Sequence, residues 1–130
     1  MIVIDASAAL ELLLDASGAE GISGYLGSGL PNLAAPHLID LEVAQVLRRH
    51  VRGKAMSAER AHEVLSDWRE FPVTRYGHDH LLPRISELRD NATAYDAAYL
   101  ALAEALGASL ITHDSKMRDI PGHRVSILVV

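Results

Sequence analysis

TAYDAAYLALAEALGASLITHD, residues 93–114, reads as a helix, a stop, a strand and an acid. Thr93 is a cap residue standing before a run from Tyr95 to Leu106 that leaves little polar face. A helix of that kind is buried rather than laid on a surface. Gly107 stands where a helix ends in the left-handed conformation. Ser109 to Thr112 is a short apolar strand, and Asp114 lies just past its end. Asp96 falls in the first turn of the helix, so two carboxylates bracket the stretch, with Glu104 the other charge between them.

Toward the C-terminus, Lys116 to Arg118 reads as a turn and Val125 to Val130 as a final apolar strand. At the N-terminus, Ile2 to Ile4 is a β-branched strand ending at Asp5, followed at once by an alanine-rich helix, Ala6 to Leu14. Asp15–Ala16–Ser17–Gly18 breaks it. Ala19 to Leu26 is a second short helix, and Leu33 to Ala35 a weak strand between Pro31 and Pro36. Pro36 opens a long helix, His37 to Val51. There Ile39, Val43, Val46, Leu47 and Val51 share one side, while Gln45, Arg49 and Arg52 lie opposite and Glu42 borders the apolar edge. Gly53 ends it. Ser57 caps a helix to about Arg69, Phe71 to Tyr76 is a poor strand, and His78 to Leu88 is a helix with Pro83 either in its first turns or kinking it. Strands alternating with helices specify an α/β chain with a mainly parallel sheet and helices on both faces. No linker or repeat divides it, so residues 1–130 are expected to form a single domain.

The composition bounds the function. Of 130 residues, 49% are apolar and 22% charged, which is ordinary for a soluble globule. With no cysteine, disulfides and thiolate metal sites are excluded. The N-terminal apolar run carries Asp5 and Glu11 and lacks a basic segment, so neither a signal peptide nor a membrane span is expected, and a cytoplasmic location is. The net charge of −5 argues weakly against a polyanionic partner, unless carboxylates hold cations.

Four acids fit that exception. In open parallel sheets, ligands bind outside the carboxyl ends of the strands. Asp5 and Asp114 are at strand ends and Glu42 and Asp96 near helix starts, so all four belong on one rim. Each has a plain alternative as a cap or a solvated residue. Together they pose a problem, since two carboxylates about 4 Å apart repel by roughly 4 kcal/mol at an effective dielectric near 20. Protonation or a cation relieves such a cluster. Oxygen donors without cysteine or paired histidine favour Mg²⁺ or Mn²⁺ over Zn²⁺.

These residues, in VIDASA at 3–8, PHLIDLEVAQVLRR at 36–49, the 93–114 stretch and SKMRDI at 115–120, resemble the PIN-domain ribonucleases, nearest to the VapC-type toxins of type II toxin–antitoxin pairs. The resemblance covers essentially the whole chain. It implies a PIN-like three-layer α/β/α sandwich with a central, mainly parallel sheet of four to five strands. It also implies metal-dependent endoribonuclease activity leaving a 5′-phosphate. Asp5, Glu42, Asp96 and Asp114 match the family's acids, with Asp5, Asp96 and Asp114 as ligands of Mg²⁺ or Mn²⁺ and Glu42 orienting or deprotonating the attacking water. Ser7 and Thr112 match the small hydroxyl residues beside them, in a supporting role. The implied partners are an RNA substrate, a small cognate antitoxin and a second copy in a homodimer, with no membrane.

For RNA phosphates, Lys116 and Arg118 rank first by nearness in sequence, with Arg49 in the run Arg48, Arg49, Arg52, Lys54 as a further candidate. Tyr95 and Tyr99 suit base stacking, or packing. Two alternatives remain open: a PIN-fold nuclease outside toxin systems, and a non-catalytic Mg²⁺-binding module of the receiver type. The second is disfavoured because Asp5 has no acidic neighbour, Leu33–Ala35 ends without an Asp and the last strand has no Lys.

Overall fold

The computed structural model describes residues 1–14 and 32–130. The helix expected at Ala19–Leu26 lies outside the described residues. Five strands, β1 (Ile2–Ile4), β2 (Leu33–Pro36), β3 (Val73–Tyr76), β4 (Ser109–Thr112) and β5 (Ile127–Val129), form one sheet in the order β3-β2-β1-β4-β5. Every pairing is parallel. The helices are α1 (Ala6–Leu13), α2 (Ile39–Arg52), α3 (Ala58–Glu70), α4 (Leu82–Glu87) and α5 (Ala94–Leu106), with 3₁₀ turns at Asp79–Leu81 and Ser115–Asp119. Among the described residues, no helix is long and apolar enough to cross a membrane.

Strand order explains where a site can form. From β1 the chain moves to β2 and β3 on one side, then returns to place β4 and β5 on the other. The order reverses between β1 and β4, where a crevice opens outside the carboxyl ends. Ile4 pairs with Ile111, so the next residues along, Asp5 and Thr112, come out side by side at that point.

The helix of the opening stretch is the most buried. From Ala97 to Ala103 every residue is buried. Thr93 caps it through a bond from the Asp96 amide at 3.1 Å, and Gly107 closes it with φ of 61°. That region suits glycine because it has no Cβ to meet the following carbonyl. Glu104 sits on its outer side, where Arg84 Nε meets it at 2.8 Å and the Arg124 amide at 3.1 Å. One carboxylate thus ties α4 and the segment before β5 to α5.

Several sequence expectations shift. Leu33–Pro36 is weak by propensity, since alanine and proline are poor strand formers. Between two strands it is nonetheless fully buried, and Pro36 belongs to the strand rather than to the helix. Consequently α2 starts later, at Ile39. Gly53 is its C-cap but has φ of −82°; the left-handed residue is Lys54, at 60°. Pro83 falls in the first turn of α4, the 78–88 helix being split by a 3₁₀ turn. Asp40, in the first turn of α2, reaches across the fold: Arg75 Nε approaches it at 2.8 Å and Trp68 Nε1 donates to it at 2.7 Å, which ties α2 to α3 and β3.

Candidate active site

Asp5 is the anchor. It directly follows β1 and is the N-cap of α1, with its carboxylate Oδ1 accepting from the Ala8 amide at 3.0 Å and from Ser7 Oγ at 2.6 Å. Thr112 Oγ1 donates to Oδ2. Both hydroxyl protons are thereby committed to Asp5. The two hydroxyl oxygens are in turn acceptors, Ser7 from the His113 amide at 2.9 Å and Thr112 from the Asp114 amide at 3.0 Å. A carboxylate has about four lone-pair positions. Three are filled, which leaves one on Oδ2 for a ligand.

The other acids converge on the same cleft. Glu42 is in the first turn of α2 and Asp96 in the first turn of α5. Asp114 caps the 3₁₀ turn after β4 through the Lys116 amide at 3.0 Å. All four, with Ser7, Arg49 and Tyr99, line a cleft of about 560 Å³. A second hollow, of about 650 Å³, lies at the amino end of β4; its one lining carboxylate, Glu104, is paired with Arg84, so it holds no comparable cluster of acids.

Electrostatics mark the cleft as strained toward neutrality. Burial holds the Asp5 carboxyl above its ordinary value, against the bonds from Ser7, Thr112 and Ala8 that favour its anion. Burial likewise raises Glu42, opposed by the Tyr99 hydroxyl and reinforced by the charges of Asp5 and Asp96. Asp96 is raised by burial first, then by the charges of Asp114 and Asp5. Clustered carboxylates that resist ionisation form a donor set suited to a hard divalent cation. Among the described residues no three such side chains already close on one point as a ready cage. Mg²⁺ does not require one, because it keeps several waters and takes one or two carboxylates.

The candidate substrate cations separate. Arg49 lines the cleft; Lys116 and Arg118, nearer the acids in sequence, are exposed and do not. Met117 between them is buried, and takes part in the lining instead. Tyr95 is exposed on the rim, whereas Tyr99 is a core residue whose hydroxyl donates to Glu42 Oε1 at 2.5 Å. That bond was not legible in the sequence, where Tyr99 suits base stacking or packing but shows no partner for its hydroxyl. His113 is half-exposed, with Nδ1 at 2.6 Å from the Val130 carbonyl oxygen. Asp119 is exposed and does not line the cleft.

Comparison with known proteins follows the same outline. Residues 2–123 match the family described as PIN domain. The chain is 42% identical over 130 residues to Ribonuclease VapC9 of Mycobacterium tuberculosis (strain ATCC 25618 / H37Rv), covering 100% of this chain and 98% of the relative. It is 39% identical over 131 residues to Ribonuclease VapC1 of the same strain, covering 98% and 96%. Among solved structures, PAE2754 from Pyrobaculum aerophilum superposes with a TM-score of 0.68 at 25% identity, covering 97% of this chain and 81% of the other. VapBC2 from Rickettsia felis, bound to a promoter DNA fragment, has a TM-score of 0.71 at 15% identity, covers 99% and 98%, and shares the fold.

Proposed function

The chain belongs to the PIN-domain family, and on that premise we propose that it is a VapC-type ribonuclease, the toxin of a toxin–antitoxin pair, cutting RNA at the cleft of Asp5, Glu42, Asp96 and Asp114 with Mg²⁺ or Mn²⁺. The observation that carries this reading is the convergence of four carboxylates from four separate segments on one cleft, three of them held above their ordinary pKa. A structural role explains one cap at a time; it does not explain a repulsive cluster at the sheet's switch point.

The residues that would hold the ion are Asp5, Asp96 and Asp114. When bound, it supplies Lewis acidity at a phosphoryl oxygen and lowers the pKa of a water. The protein does the rest by placement. Ser7 and Thr112 keep the Asp5 carboxylate from rotating, so its free lone pair keeps one direction. Glu42 orients the attacking water and takes its proton. Burial favours that proton transfer, because a base whose pKa is raised toward neutrality accepts protons more readily. Arg49 meets a substrate phosphate at the cleft edge, and Lys116 and Arg118 meet the strand further out.

The names of the relatives and of the similar assemblies support a small antitoxin as regulator. A homodimer, and action in the cytoplasm on cellular RNA, complete the proposal. The test is incubation of total RNA with wild type or Asp5→Ala, in Mn²⁺ or EDTA. Cleavage is expected only with wild type and Mn²⁺, leaving 5′-phosphates. Equal cleavage in every lane would sink the assignment.

A further inference from the structure

Tyr99 stands one turn after Asp96 on α5 and is 2% exposed. Its hydroxyl nonetheless reaches the cleft, donating to Glu42 Oε1 at 2.5 Å. Among the described residues, Oε2 of Glu42 takes no hydrogen bond.

The need for such a tether is physical. A glutamate has three rotatable bonds, and Glu42 faces the charges of Asp5 and Asp96. Left untethered, the carboxylate gains by swinging into water, away from the cleft. A donor anchored on a rigid, buried ring prevents this at little entropic cost, since the ring is already ordered by packing.

We propose that Tyr99 is a positioning residue of the reaction, its buried hydroxyl fixing Oε1 of Glu42 so that Oε2 is presented to the attacking water. The inference rests on the nuclease reading above. Phenylalanine at this position would pack the same core and lack only the tether. A merely structural tyrosine would then change the melting temperature and leave turnover alone.

The test uses the full chain with Mn²⁺ and an RNA that the wild type cuts, comparing Tyr99→Phe, Glu42→Gln and the double variant. Tyr99→Phe should lower kcat by roughly tenfold, the size of a lost hydrogen bond to a charged group, while KM stays within about twofold. In the Glu42→Gln background the same change should cost nothing further in the residual turnover, because the carboxylate that the hydroxyl positions is gone. Wild-type turnover by Tyr99→Phe, beside a strongly reduced Glu42→Gln, overturns this inference and leaves the nuclease reading standing. So does an undiminished further loss in the double variant. A Tyr99→Phe chain that fails to fold assigns the hydroxyl to stability and overturns it too. A wild type that cuts no RNA overturns both.

Discussion

At the scale of single residues, the cleft shows how one side chain serves as both cap and candidate ligand. Asp5 satisfies the Ala8 amide at the start of α1 and still has a lone pair to spare. Asp96 divides the work differently. Thr93 does the capping, and among the described residues its own amide donates no reciprocal bond to the Asp96 carboxylate. The Asp96 charge thus sits in the cleft disfavoured by burial and by Asp114 and Asp5, which the Thr93 side chain offsets only in part. Asp96→Asn is therefore expected to raise the melting temperature by a few degrees in EDTA at neutral pH, and to abolish cleavage. A melting temperature unchanged or lowered in EDTA would mean the carboxylate is not under repulsion. The acids themselves were legible from order and context, and the two hydroxyls through family resemblance. Tyr99 was not, because its partner is 57 residues away and a buried tyrosine looks like any core residue.

Elements carry the spacing between those residues. Helix α5 is a buried strut whose length separates Asp96 from the turn that leads back to β4 and Asp114. Gly107 makes the turn with φ of 61°, and a Cβ there would meet nothing within 4 Å. Gly107→Ala should therefore act through backbone strain alone, costing about 1 kcal/mol. For a domain of this length that is roughly a 3–5 °C fall in melting temperature. Calorimetry on the variant checks it; an unchanged midpoint would mean the turn relaxes freely to a right-handed conformation. Elements with strong local signals, α5, β4 and the Ser57-capped α3, were legible in the chain. The weaker β2 and β3 were not well resolved by propensity, because their stability comes from neighbours in the sheet: β2 is fully buried between two strands, while β3 is an edge.

For the molecule as a whole, the cleft makes stability depend on pH and on metal. Asp5, Glu42 and Asp96 have folded pKa values raised above their ordinary ones. A group of that kind binds more protons folded than unfolded, so its contribution is favourable when protonated and is lost as pH rises through the folded pKa. Glu104 has the opposite sign: its pKa is lowered, first by the bonds from Arg84, so its contribution is present above the ordinary glutamate value and lost as pH falls. The two effects occupy different windows. Without metal, the melting temperature should fall between mildly acidic and neutral pH, and saturating Mg²⁺ should flatten that fall by binding the ionised cluster. A metal-free profile that is level from acid to neutral, and the same with Mg²⁺, would contradict a shared site.

By itself the sequence determined the alternation of strands and helices, the buried helix with its cap and glycine stop, and the rim on which the four acids lie. Those follow from periodicity, capping chemistry and the rule that α/β sheets bind ligands beyond their strand ends, all of which act over a few residues. Only the tertiary structure decided what each acid touches. The register that pairs Ile4 with Ile111 sets Thr112 on Asp5, and the placement of α2 across from α5 gives Glu42 the Tyr99 hydroxyl. It also decided that Arg49, rather than Lys116 or Arg118, lines the cleft. The physical reason is the same throughout: hydrogen bonds and charge contacts act at about 3–4 Å, a distance that sequence separation does not encode.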